Sequence, residues 1–187
     1  MKYIKLTLFL LLFISTIVYS ADEDKGKITL STDIGRGEIH LKRKFSLNSE
    51  KDDPSMTVLG FSAGYQFDTN VILESNFSVA ANDNLFSADD DYKLYELKAF
   101  LGYSFEVKHW FRFVPKIGVG RWELDTKEGK LHNDKRKFDE FTGSDFYYQL
   151  NLEFPMQDLL SINVSFMNND YDFGRVSAVK AGVKFTF

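Results

Sequence analysis

Three histidines, His40, His109 and His132, are the side chains of this sequence whose ordinary pKa suits proton transfer near neutrality. Hydrolytic chemistry needs such a histidine beside a serine and oriented by a third group. None has that setting here. His40 lies between Ile39 and Leu41 with Lys42 two residues on, His109 precedes Trp110 in a tight turn, and His132 sits among Lys130, Asn133 and Asp134. Clustered carboxylates are the other candidates: Asp83, Asp89, Asp90 and Asp91, and Asp170 with Asp172. Calcium wants several oxygen ligands, but no spacing matches an EF-hand loop. The chain is therefore read as no enzyme, with no catalytic residue, no cofactor and no metal site.

A third set of ionisable residues is more orderly. Glu74, Glu96, Glu106, Glu153, Lys98, Arg112, Lys116, Lys180 and Lys184 each fall on the polar phase of a segment whose intervening positions are apolar. That period of two is the signature of a β-strand with one oily and one polar face. Leu59, Phe61, Ala63, Tyr65 and Phe67 alternate with Gly60, Ser62, Gly64 and Gln66, and Val71, Leu73, Phe77 and Val79 oppose Glu74, Asn76 and Ser78. The same rhythm runs through 93–106, 111–120, 146–154, 160–166 and 179–187, giving seven strands. An eighth is placed in 27–45, where Ile28, Leu30 and Ile34 are even but Ile39, Leu41 and Phe45 are odd. A bulge at Gly35-Arg36-Gly37 is expected there, since one extra residue reverses the facing of everything after it.

The connections alternate in length. Asp68-Thr69, Val107-Lys108-His109 and Pro155-Met156-Gln157-Asp158 are tight, whereas 45–56, 82–91, 124–138 and 168–175 are longer and polar. Short turns at one end and long loops at the other describe an outer-membrane barrel, turns in the periplasm and loops outside. The N-terminus agrees with export. Lys2 and Lys5, an apolar run from Leu6 to Val18 too short to span a bilayer, and Val18-Tyr19-Ser20 before Ala21-Asp22 read as a signal peptide over 1–20. Cleavage leaves a barrel domain over 21–187 with 21 basic and 27 acidic residues, net −6, which argues against nucleic acid as a partner. The absence of cysteine excludes a disulfide scaffold.

Alternation also suits a water-soluble, lipocalin-like carrier with its apolar face inward. Two features favour lipid outside. The polar face carries four acids, five bases and six glycines (Gly60, Gly64, Gly102, Gly118, Gly120, Gly182), which suits the crowded interior of an eight-stranded barrel. The aromatics Tyr65, Phe67, Tyr103, Phe105, Trp110, Phe111, Phe154, Phe185 and Phe187 gather at strand ends beside the short turns, where an interfacial girdle sits. The expected fold is all-β, an eight-stranded antiparallel up-and-down transmembrane β-barrel.

Three stretches then carry a resemblance: Gly64-Tyr65-Gln66-Phe67-Asp68-Thr69-Asn70 followed by Leu73-Glu74, Val114-Pro115-Lys116-Ile117-Gly118-Val119-Gly120, and Val183-Lys184-Phe185-Thr186-Phe187. In order and ending, they resemble the small eight-stranded outer-membrane barrels typified by the OmpA membrane domain and OmpX. The resemblance implies a place in the outer membrane of a Gram-negative bacterium, with lipopolysaccharide as neighbour. It implies that Val183, Phe185 and Phe187 form the signal read by the barrel-assembly machinery. The charged set becomes a lumen network. The expected role is structural or interactive, in envelope stability, adhesion or defence, with a host or surface ligand met through loops 45–56, 82–91, 124–138 and 168–175. Some barrels of this size modify lipid A, so an acyl hydrolase or transferase is the alternative, and a narrow pore another.

Overall fold

The computed structural model describes residues 26–42, 55–81, 92–127 and 138–187. The segment 1–20 and the loop 82–91 lie outside that set, as do most of 45–56 and the middle of 124–138. Nine strands form one antiparallel sheet: β1 (Lys27–Leu41), β2 (Ser55–Gln66), β3 (Val71–Ala81), β4 (Tyr92–Tyr103), β5 (Phe105–Lys108), β6 (Phe111–Lys127), β7 (Phe138–Gln157), β8 (Leu160–Tyr171) and β9 (Gly174–Thr186). Apart from β4 and β5, each pairs with its neighbour in sequence; β1 closes against β9, and both β4 and β5 pair with β6. β4 and β5 thus make one stave, interrupted at Ser104, whose amide donates to the Asn70 carbonyl at 2.9 Å. The result is a closed eight-stave barrel with no sheet edge, as a lipid-exposed backbone requires.

The seam closes at the periplasmic end. The Ile28 amide donates to the Phe187 carbonyl at 3.1 Å, and the Phe187 amide returns the bond to Ile28 at 2.8 Å. The turn from β2 to β3 is held by Phe67 N–H to Val71 O and Asn70 N–H to Phe67 O, both 2.9 Å, with Asn70 at φ 64°. That left-handed conformation is one an asparagine tolerates.

Three expectations are corrected. β1 contains no bulge: its register runs unbroken from Lys27 to Glu38 against β2 and from Thr29 to Leu41 against β9. Thr29, Asp33 and Ile39 are all buried in one phase, while Leu30, Ile34, Arg36 and Glu38 are all exposed in the other. What changes along β1 is the polarity of each face. Nor is 168–175 a long loop. β8 continues to Tyr171 and pairs it with Gly174, leaving the two-residue turn Asp172-Phe173. Similarly β6 and β7 extend through Lys127 and from Phe138, so the connection called 124–138 begins and ends in strand.

The outward row of β6 shows the membrane geometry. Phe111, Phe113, Pro115, Ile117 and Val119 are apolar, and Arg121, Glu123 and Asp125 follow. At about 3.3 Å per residue and a tilt near 40°, residues 111–119 rise roughly 20–25 Å, the height of a bilayer's apolar band. Ile117 is 66% and Phe146 on β7 82% exposed, which suits lipid as the medium. Above this belt the barrel wall stands in water.

Candidate functional site

The lumen is the first place where ionisable side chains converge. Lys116 Nζ lies 2.7 Å from Glu74 Oε2, Lys98 Nζ 2.9 Å from Glu96 Oε2, and Lys184 Nζ 2.8 and 3.0 Å from the two Glu153 oxygens. Lys180 Nζ completes a fourth pair, 3.0 Å from Asp33. Asp33 was absent from the sequence-derived set. All eight side chains are at most 5% exposed. Burial removes the hydration of each charge, so each holds only in the company of its partner. Ser78 Oγ donates to Glu96 Oε2 at 2.7 Å, and Asn76 Nδ2 donates to Ser62 Oγ at 2.9 Å.

The glycines make room for these long side chains. A Cβ on Gly60 would strike Asp33 Oδ1, one on Gly120 would meet Lys98 Cγ at 2.7 Å, and one on Gly102 Lys116 Cγ at 2.9 Å. Each charged stem rests on a neighbouring strand that carries no side chain at that point.

Glu106 and Arg112 stand apart from this network. They face each other across the β5–β6 register at the periplasmic mouth, Glu106 exposed and Arg112 half-buried. There, with Lys27, Asp68, His109 and Asp158, they line an open vestibule of about 570 Å³.

The outer part of the lumen is different again. Phe100, Trp122, Tyr147, Tyr171 and Phe173 are each at most 3% exposed, with Leu94, Leu124, Ile39 and Val176 around them; Phe100 and Tyr147 lie beside the Lys98–Glu96 pair, and Trp122, Tyr171 and Phe173 continue outward from it. The Phe173 ring packs edge-on against Trp122, centroids 4.8 Å apart, and stacks on Tyr171 at 4.7 Å. The Tyr171 hydroxyl donates to Glu96 Oε1 at 2.5 Å and Trp122 Nε1 to Asp145 Oδ2 at 2.7 Å. Sequence reading placed the aromatics at the girdle and missed this cluster. The signal was present in β6: Trp122 and Leu124 continue the phase of Gly118 and Gly120 into the lumen.

At the periplasmic rim the girdle rings do meet, Tyr103 with Phe105 at 4.6 Å, Phe111 with Phe154 at 5.5 Å, and Phe185 with Phe187 at 6.4 Å. Phe185 and Phe187 are exposed and Val183 is half-buried on the lipid face. Tyr65 is covered by Gly26 and packs edge-on against Phe67 at 4.9 Å.

On the outer wall, the first charged outward side chain above the belt is Arg36 on β1, Arg121 on β6 and, higher up opposite Asp125, Lys93 on β4. Acids come next, Glu38 and Glu123. Near the top of β8–β9 the exposed Asp170 and Arg175 pair at 2.7 Å, and the Arg175 hydrogen bond holds the Asp170 carboxyl below the usual carboxylate range. His40 Nε2 lies 3.9 Å from Glu38 at this end, while His109 borders the vestibule at the other. His132 and the Asp83–Asp91 cluster lie outside the described residues. Among the described residues no group of three His, Cys, Asp or Glu could hold a metal ion.

This architecture has relatives. The sequence profile of the family described as outer membrane protein beta-barrel domain matches residues 6–187. No curated protein matches the chain in sequence. The fold is similar to that of Neisserial surface protein A, at 14% identity and TM-score 0.66 over 86% of this chain and 97% of that one. It is similar also to Ail of Yersinia pestis, solved with the heparin analogue sucrose octasulfate, at 14% identity and TM-score 0.61 over 87% and 99%. The N-terminal barrel of Pseudomonas aeruginosa OprF follows at 16% identity and TM-score 0.50 over 86% and 97%.

Proposed function

Because the chain belongs to the outer membrane protein beta-barrel domain family and lies in the outer membrane, we propose that it works at the cell surface, as a structural and interactive protein of the envelope serving its stability, adhesion or defence. The observation that carries this reading is the reversal of the wall above the lipid belt. From Arg36, Arg121 and Lys93 upward the outside is polar and the inside apolar, so the strands stand clear of the bilayer as a water-facing collar. A collar of this kind holds the connections 43–54, 82–91 and 128–137 away from the membrane, where a partner can reach them.

The row of cations at the base of the collar fits the phosphates of lipopolysaccharide, the lipid neighbour of the outer leaflet. Barrel purified with R36Q and R121Q together is expected to retain less co-purifying lipopolysaccharide than the parent when both are extracted identically. The surface role is tested by replacing 82–91 and 128–137 with Gly/Ser linkers of equal length. Attachment or serum resistance should fall while heat-modifiable barrel and lipid A mass spectra stay as in the parent. A lipid A mass change on deleting the whole protein would instead establish the acyl hydrolase or transferase alternative, and unaltered surface phenotypes in every loop variant would overturn the surface reading.

A further inference from the structure

We propose that the β8–β9 turn is a stopper that seals the outer end of the lumen and keeps the barrel electrically closed. Residues at the tip of a short hairpin ordinarily face water. In this turn Asp172 does so, but the next residue, Phe173, is fully buried and points back into the barrel. Its ring fills the space between Trp122 and Tyr171, and Tyr171 in turn meets Tyr147 with centroids 5.6 Å apart. The turn is strapped from the adjoining strand: the Lys42 amide donates to the Phe173 carbonyl at 2.8 Å and Lys42 Nζ to the Tyr171 carbonyl at 3.2 Å.

The two ends of the lumen are therefore unlike. The periplasmic end is a vestibule of about 570 Å³ lined by polar side chains. The outer end is a layer of apolar side chains, Ile39, Leu94, Leu124, Phe173 and Val176 with the Trp122 and Tyr171 rings, that meets charge at its margin in Glu96, Lys98 and Asp145. Such a layer stops ions because water does not wet it, which is how hydrophobic constrictions gate channels. The Tyr171 hydroxyl reaches down to Glu96, itself bound to Lys98 and Ser78, so lifting the turn also uncovers the uppermost buried ion pair. The stopper is independent of whatever the surface loops bind.

The test uses the full mature barrel in planar bilayers and vesicles, in a W110F background that leaves Trp122 as the sole indole. The parent should carry no current and its Trp122 emission should resist iodide. Y171A/F173A should conduct and raise the iodide quenching constant at least about threefold, as expected of a locally opened structure. Y171F, which keeps the ring and loses only the hydroxyl, should stay silent. Free quenching of Trp122 in the parent overturns the proposal, as does a folded Y171A/F173A barrel that remains silent and shielded.

Should the double variant fail to fold, single cysteines replace it, since the native chain has none. F173C should react with an impermeant maleimide at least about tenfold more slowly than D172C. Equal rates would show that Phe173 does not face the interior.

Discussion

Lys98 ties the ion pairs of the lumen to its aromatic rings. Its ammonium pairs with Glu96, lies 5.3 Å from the centre of the Tyr147 ring, and its stem rests on Gly120. K98M leaves Glu96 buried with only neutral donors, and removal of one partner from such a pair costs about 3–5 kcal/mol. K98M/E96Q should recover much of that loss, measured as the urea midpoint of the heat-modifiable form in vesicles. A double variant no more stable than K98M would mean the pair is not the source of the cost. G118A is a second case: the methyl would run into the Ala99 carbonyl and sit 2.8 Å from the Phe100 ring, overpacking of about 1–3 kcal/mol. Seven of the nine expected network residues, Glu74, Glu96, Lys98, Lys116, Glu153, Lys180 and Lys184, lie in the buried ladder, because strand phase follows directly from sequence. Asp33 already lay on the polar phase opposite Ile28, Leu30 and Ile34, but the set was drawn without any charge from β1, so the partner of Lys180 went unrecognised.

The element with the most to say about biogenesis is β9. Phe187, the residue directly after it, gives the seam two backbone hydrogen bonds with Ile28 and stacks its ring with Phe185. Deleting Phe187 is expected to leave export intact and to lower the yield of heat-modifiable barrel, with F187Y close to the parent; unchanged yield on deletion would refute an assembly role for Val183, Phe185 and Phe187. At the other end of β9, the lowered Asp170 pKa has a signed consequence. Its pairing with Arg175 favours the folded turn above the ordinary carboxylate range and is lost as pH falls through the lowered value. Protection factors at residues 171–175, exchange corrected for the intrinsic pH dependence of the amides, should therefore fall in acid in the parent and fall less in D170N. The segment 168–175 looked like a loop because Asn168, Asp170 and Asp172 are polar. They are polar because they face outward above the lipid, where a strand meets water.

At the scale of the whole molecule, the barrel is two media stacked. I117K places a charge on the lipid face within the belt, where a lysine costs up to about 2–4 kcal/mol, while E123K lies above it and should cost close to 0–1 kcal/mol. Urea midpoints of the two variants in vesicles check this, and equal losses would move the membrane boundary. The transmembrane fold was legible because lipid and lumen impose opposite polarities on alternate residues over five strand positions. The collar was not, since there water and an apolar interior reverse the code, and the task was not, since loop chemistry has no period to read.

The reversal at Arg36 and Arg121 has one more consequence. Barrels without such a boundary can adapt to a thicker bilayer by riding higher or lower. This one carries its own waterline: sinking would drag guanidinium groups into hydrocarbon, and rising would bare Ile34 and Val119 to water. Thickness mismatch must then be absorbed by tilt or by the lipids themselves. The protein should thin a thick membrane around itself and gather where the bilayer already matches its belt.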